Sequence, residues 1–312
     1  MPTDKLRLPS YGGQALIEGV LMRGAKFVAG AFRLPNGEIE IETEELSKIY
    51  QSKMTKIPFL RGLVILWDSL GLGTRFLTLS ANKQGEEDEK LEGSQLALTL
   101  IISLAMAIGL FFVGPALVGQ GLEALLKFPV GWGNIIEGVV RLIVVVGYIW
   151  GIGKMPDIHR VFAYHGAEHK TINAFEAGEV LTPENVAKYS LEHPRCGTSF
   201  LLTLVVLSVL VFSAIGKLPI LWTVISRILL LPPLAMLGYE YIRWTANHLD
   251  SAFVRWLIKP NMALQRLTTN EPSLDILEVA IAAFNAMYAL EHPGIIPLHP
   301  AETAVAEHAA ST

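Results

Sequence analysis

The sequence predicts a mainly α-helical, polytopic membrane protein with four transmembrane helices and a cytoplasmic cap containing a small N-terminal β element. Three observations predict it. Of 312 residues, 51% are hydrophobic and only 17% are charged, against about a quarter charged in an ordinary soluble domain. Four stretches are apolar enough to form the roughly 20-residue helix that crosses a bilayer. Lys and Arg avoid two of the connections between those stretches and crowd into the rest, as expected when the two sets of loops face opposite sides of a membrane. The same composition excludes a disordered, collagenous or disulfide-rich chain.

Residues 1–56 are expected to form an N-terminal cytoplasmic segment containing β structure. The opening MPTDKLRLPS lacks the apolar centre of a cleaved signal peptide. Two apolar runs flank Leu34-Pro35-Asn36-Gly37, and Asn-Gly supplies the positive φ angles of a hairpin turn. Beyond it, Ile39 and Ile41 alternate with Glu38, Glu40 and Glu42, the pattern of a half-buried strand. Helical sequence is expected from about Glu44. The glycines of Gly12-Gly13-Gln14 are read as sites of close backbone packing.

Residues 57–95 divide into an amphipathic helix and an acidic linker. Residues 57–79 are hydrophobic but hold Arg61, Asp68 and Arg75, which fits an interfacial or protein-packed helix better than a span. Residues 83–93, KQGEEDEKLEG, read as a solvated linker.

Residues 96–153 contain transmembrane helices one and two. The first (96–114) has no charge; the second (135–153) carries Glu137 and Arg141, four apart, where opposite charges share a helix face. A cytoplasmic motif loop occupies 154–199. Residues 200–242 hold spans three (about 200–215) and four (220–241), joined tightly around Lys217 and Pro219. C-terminal cytoplasmic helices follow over 243–291, with a stop near Pro260 and a restart after Pro272. Residues 292–312 are expected to be a flexible tail.

Twelve Lys and Arg precede residue 96, five lie between 154 and 199, and four follow Tyr241, whereas the other two connections carry only Lys127 and Lys217. Both termini and the 154–199 loop are therefore assigned to the cytoplasm, with the protein multi-pass in the plasma membrane. The single cysteine, Cys196, rules out an internal disulfide and suits a reducing compartment. A net charge of −4 provides no global field for nucleic acid. The expected partners are the lipid bilayer and either membrane proteins or further copies of this chain.

The passage MPDIHRVFAYHGAEHKTINAFEAG carries the strongest chemical signal. Pro156 and Asp157 suit a helix start and Gly178 a helix end. Within it, His165, Glu168 and His169 make an H-x-x-E-H pattern. Imidazoles four apart lie on one face, about 6 Å along the axis, and can share one metal. A glutamate on the same turn can then act as general base toward water. The pattern also suits packing or hydrogen-bonding histidines near a membrane surface.

A metal needs a further ligand. Glu176 lies too far along the helix. His193 and Cys196, in LEHPRCGTSF, share the loop; with His165 and His169 they would make a closed, structural zinc site. Glu240, at the cytoplasmic end of span four, and Glu18 are the other candidates. Cys196 beside Arg195 also has the setting of an activated thiol, although a lone cysteine is more often a small buried residue. Arg141 and Arg227 are expected to be buried in the helical bundle.

Three passages, GGQALIEGVLMRG, YHGAEHKTINAFEAGE through LTPENV to HPRCGTSFLL, and LQRLTTNEPSLDILEVAIAAF, resemble the YqhQ-like bacterial membrane family over about residues 10–290. That family is a domain of unknown function, catalogued as predicted metal-dependent enzymes. The resemblance points to His165, Glu168, His169, His193 and Cys196 as this chain's matches to the family signature, and it implies no substrate.

The leading expectation is a metal-dependent enzyme, most concretely a hydrolase at the cytoplasmic membrane face. His165 and His169 would hold a divalent metal, zinc by ligand type, Glu168 would activate water, and His193, Cys196 or Glu240 would complete the shell. The alternative is a non-catalytic membrane scaffold or membrane-protein assembly factor whose polar residues hold the cap together.

Overall fold

The computed structural model describes residues 11–47, 49, 53–85, 93–129 and 132–293. The expectations for residues 1–10, most of the acidic linker and the tail from 294 onward lie outside them. The described chain is mostly helical, with one small N-terminal sheet.

The sheet is an antiparallel meander of β1 (Gly12–Leu16), β2 (Gly19–Arg23), β3 (Phe27–Arg33) and β4 (Ile39–Glu45) in that order. The β3–β4 turn falls at Asn36-Gly37, with Gly37 at φ 89°. Because side chains alternate across a strand, β2 and β3 send Val20, Met22, Ala29 and Ala31 to one face and Leu21, Val28 and Phe32 to the other. Both faces are covered, which explains why GVLMR and FVAGAFR carry so little polar sequence. Edge strand β4 departs from the expected pattern. Ile41 is exposed, while Glu40 and Glu42 pair with Lys83 and Glu44 pairs with Arg75. The strand also runs through Glu45, so no helix begins at Glu44. After a short 3₁₀ turn (Lys53–Lys56), the first helix is α1 (Leu60–Gln84).

Helix α1 lays Phe76 and Leu72 against the second sheet face, and near its start Gly62 meets the Tyr239 ring. Next come α2 (Gly93–Ile108), a π turn (Gly109–Val113) and α3 (Gly114–Leu125), continuous as an apolar rod over Gln95–Leu125. Then follow α4 (Trp132–Ile152), α5 (Pro156–Glu176), α6 (Pro183–Val186) and α7 (Thr198–Ile215). The chain ends with α8 (Ile220–Leu229), α9 (Leu231–Asn247), α10 (Ala252–Leu257), α11 (Lys259–Gln265) and α12 (Leu274–Glu291).

Among the described residues, α1, the α2–α3 rod, α4 and α7 are each long and apolar enough to cross a membrane. Two features differ from the sequence expectation. Helix α1 meets the criterion despite its charges, and the expected single span over 220–241 is broken into α8 and α9, bent by 45°. Pro232 and Pro233 explain the break, since each removes a backbone donor and disfavours helix in the residue before it.

The apolar helices enclose an ion network. Glu137, Arg141 and Arg227 are each about 1% exposed. One Glu137 carboxylate oxygen accepts from Arg141 Nη2 at 2.6 Å and Arg227 Nε at 3.0 Å, and the other accepts from Arg227 Nη2 at 2.6 Å. Arg141 Nε donates to the Phe111 carbonyl at 2.8 Å, in the π turn, where the helical hydrogen-bond ladder is disturbed. Arg227 also donates to Asn134 and stands over the Phe212 ring, 4.0 Å from its centre. Glu137→Gln leaves two buried guanidinium groups without their carboxylate. It is expected to cost about 3–5 kcal/mol, read as a lower thermal unfolding midpoint of the detergent-purified protein. An unchanged midpoint would show that Glu137 does not hold these helices together.

Candidate metal centre

Helix α5 positions the candidate site. Pro156 opens it at a position where a missing N–H costs nothing, and Gly178, at φ 77°, turns the chain out beyond its end. Between Ala163 and Ala174 most of the helix is buried, against β1 and β2, α6 and α12. Its polar side chains must therefore find partners inside the protein.

His165 Nδ1 lies 2.8 Å from the Thr268 carbonyl oxygen, and His169 Nδ1 lies 2.5 Å from that of Leu191. A carbonyl can only accept, so each Nδ1 carries a proton, and in that tautomer Nε2 is the nitrogen that offers a lone pair. One ring nitrogen of each histidine and Cys196 Sγ all lie within 4.8 Å of one another, and Nε2 is the nitrogen that each carbonyl contact leaves free to ligate. Cys196 Sγ is 3.3 Å from His165 Nε2 and 3.3 Å from the Thr198 backbone nitrogen at the start of α7. His169 Nε2 is buried with no hydrogen-bond partner.

Glu168 is buried beside this group, with one oxygen 3.9 Å from His165 Nε2. Burial pushes its carboxyl up to about 7, against the opposing pull of His165 and the Gly13 backbone N–H. Gly13 is required there, because a Cβ would stand 2.3 Å from the Leu21 carbonyl oxygen and 2.9 Å from Glu168 Cγ.

The other expected ligands stand apart from this three-atom group. His193 is buried with its ring centre 5.6 Å from that of His169, but its Nε2 faces Arg195 at 3.5 Å. Burial, then Arg195 and His169, push its imidazole down to about 3, so it is neutral. Glu240 gives both oxygens to Arg61 and also accepts the Phe59 N–H at 3.0 Å, an arrangement that ties α1 to α9. Arg61 holds its carboxyl below the usual range. Glu18 is held by Arg160 and Tyr164, and Glu176 pairs with Arg195.

A family profile described as "Protein of unknown function (DUF1385)" matches residues 57–290. The "Uncharacterized protein YqhQ" of Bacillus subtilis (strain 168) is 35% identical over 299 residues, which cover 91% of this chain and 93% of that protein. The chain belongs to this family. No solved structure matches it. The YqhQ similarity takes in nearly the whole chain, whereas the family profile begins after the sheet that supplies Gly13.

Several supporting residues carry no ligand signal in sequence. Backbone carbonyls such as Thr268 and Leu191 are invisible to any motif. The segment LQRLTTN carries part of the family resemblance, but its role emerges only from the fold. Gln265 accepts the His193 N–H at 3.0 Å and donates to the His193 carbonyl and to Ser199, both at 2.9 Å. The Asn270 backbone N–H donates to the Phe162 carbonyl at 2.9 Å. Gly166, inside the H-x-x-E-H pattern, lets this segment approach, since a Cβ there would stand 2.2 Å from the Asn270 carbonyl oxygen. Gly166→Ala should therefore push residues 265–270 off α5 and destabilise the protein by about 1–3 kcal/mol. Thermal unfolding checks this, and a midpoint equal to wild type would mean that the approach is not needed.

Proposed function

We propose that this protein is a multi-pass protein of the bacterial plasma membrane with a metal-dependent hydrolase centre at its cytoplasmic face. One observation carries the enzymatic reading: one ring nitrogen of each histidine and a thiol sulfur converge within 4.8 Å, and His169 Nε2 has no partner. Leaving a buried polar atom unsatisfied costs about 1–3 kcal/mol, and a divalent cation would satisfy all three donors together. Two imidazoles and a thiolate suit zinc. Three ligands match the open, catalytic form of such a site; a fourth protein ligand would close it. The Nδ1 contacts to carbonyls are the outer-shell hydrogen bonds that orient metal-ligating imidazoles.

When bound, the metal supplies a Lewis acid that polarises the group to be cleaved. Glu168, buried 3.9 Å from His165 Nε2, is the group placed to accept and return a proton beside it. His193, locked by Gln265, braces the loop that carries Cys196.

The membrane reading is supported by the four long apolar helices and by large apolar side chains exposed along α2, among them Leu98, Ile101, Leu104 and Met106. In water these would form an unstable patch. The distribution of Lys and Arg supports a cytoplasmic location for both termini and the cap.

The 3.3 Å contact between Cys196 and His165 favours one second reading, a thiol nucleophile with His165 as its base. Metal analysis of detergent-purified protein separates the readings. The wild type is expected to hold about one equivalent of zinc, with almost none in the His165→Ala, His169→Ala double variant. A metal-free wild type that is well folded overturns the metal-dependent reading and leaves the thiol nucleophile or a scaffold.

Glu168→Gln is expected to keep its metal and its unfolding midpoint. Its turnover, read on a panel of ester, amide and phosphoester substrates, should fall by about 10²-fold or more. Undiminished turnover would remove Glu168 from the chemistry.

A further inference from the structure

Cys196 lines a cavity of about 620 Å³ enclosed by α1, α7 and α9. Leu66, Phe200 and Ile242 form its apolar walls, and Arg195 and Arg243 bring positive charge to it. The lining contains no Asp or Glu. Arg195 pairs with Glu176 yet keeps its Nε buried and without a partner. Glu240, three residues before Arg243, is committed to Arg61 through both oxygens. Arg243 also acts on Glu240, so three arginines, Arg61, Arg195 and Arg243, stand against two glutamates, Glu176 and Glu240, and the group around the cavity is net positive.

The walls continue onto exposed apolar surface. Trp67 on α1 and Trp244 on α9 are exposed next to lining residues, and exposed tryptophans of this kind sit at the boundary between bilayer and water. We propose that the cavity binds a membrane lipid with an anionic headgroup as the substrate class of the candidate centre. The headgroup lies toward Arg195 and Arg243, and the acyl chains run along Leu66, Phe200 and Ile242 toward the bilayer. The proposal rests on the membrane and hydrolase readings above. A soluble anion would leave the apolar walls facing water, whereas acyl chains cover them. A zwitterionic headgroup would set a second cation against Arg243.

Native mass spectrometry of the full-length Glu168→Gln protein tests this without turnover. The probe is an equimolar mixture of phosphatidylglycerol and phosphatidylcholine in detergent. Phosphatidylglycerol is expected to be retained over phosphatidylcholine by about tenfold, equivalent to about 1.4 kcal/mol. The ratio should fall toward unity when Arg243→Gln is added, an exposed position where folding is not at risk. Arg195→Gln is expected to act in the same direction.

Equal retention of the two lipids, or a preference unchanged in both arginine variants, would overturn the proposal. So would displacement of the lipid by millimolar inorganic phosphate, which would make the site one for free anions. Metal analysis of the same samples keeps the two readings apart. Lipid preference in a metal-free protein sustains the lipid site while removing the hydrolase. Metal without lipid preference does the reverse.

Discussion

A helix buried on nearly every side while carrying six hydrogen-bonding side chains within nine residues is the constraint around which the cap is built. From His165 to Asn173, α5 presents His, Glu, His, Lys, Thr and Asn, and most of this stretch is shielded from water. An unsatisfied polar group in such a place costs more than an ordinary hydrogen bond returns. Partners must therefore come from segments far away in sequence. Gly13 of β1 supplies an N–H to Glu168. The loop over 187–192 supplies carbonyls to His169, Lys170 and Asn173. Thr268 supplies one to His165, and Glu271 pairs with Lys170. The three segments close around α5 because its polar face requires them, and the apolar faces of the sheet and α12 complete the enclosure.

The same rule governs the apolar helices, with charge in place of dipoles. Two buried arginines share one glutamate, and their remaining donors reach Ser208, Asn134 and a carbonyl in the π turn. A regular helix would keep that carbonyl within its own ladder, so the π turn and Arg141 are parts of one arrangement. A second pair, Glu123 with Lys217, sits at the far end of these helices, where Glu123 also receives the Gly133 N–H at 2.6 Å. Apolar length makes these helices long enough for a bilayer, but polar contacts fix how they pack against one another.

Much of this was legible in the sequence because the signals were local. Asn-Gly marked the β3–β4 turn, Pro156 and Gly178 marked the ends of α5, and long apolar runs marked α2, α4 and α7. The misread elements depended on tertiary context. Ile41 stayed outside because the glutamates of β4 were drawn to Lys83 and Arg75 on α1, a pairing that local alternation cannot register. Residues 220–241 looked like one span by hydropathy, which does not count the missing donors of Pro232 and Pro233. At the site, helical spacing brought His165, Glu168 and His169 together on paper, and of the further ligands the sequence offered the fold brings in Cys196, 27 positions beyond His169. Glu240 looked available as a ligand only because its claimant, Arg61, is 179 residues away.

The unsatisfied atom on α5 is the more informative for the care taken elsewhere. His169 could have been held by its Leu191 contact alone, and an apolar side chain of similar volume would have avoided burying a bare Nε2. The Thr171 hydroxyl is likewise without a partner, but a hydroxyl can rotate where a ring locked through Nδ1 cannot. The Cys196 thiol can donate to His165 Nε2 at 3.3 Å, so those two groups satisfy one another. What packing leaves unexplained is therefore narrower: one ring nitrogen of His169, buried without a partner, beside a second imidazole and a sulfur.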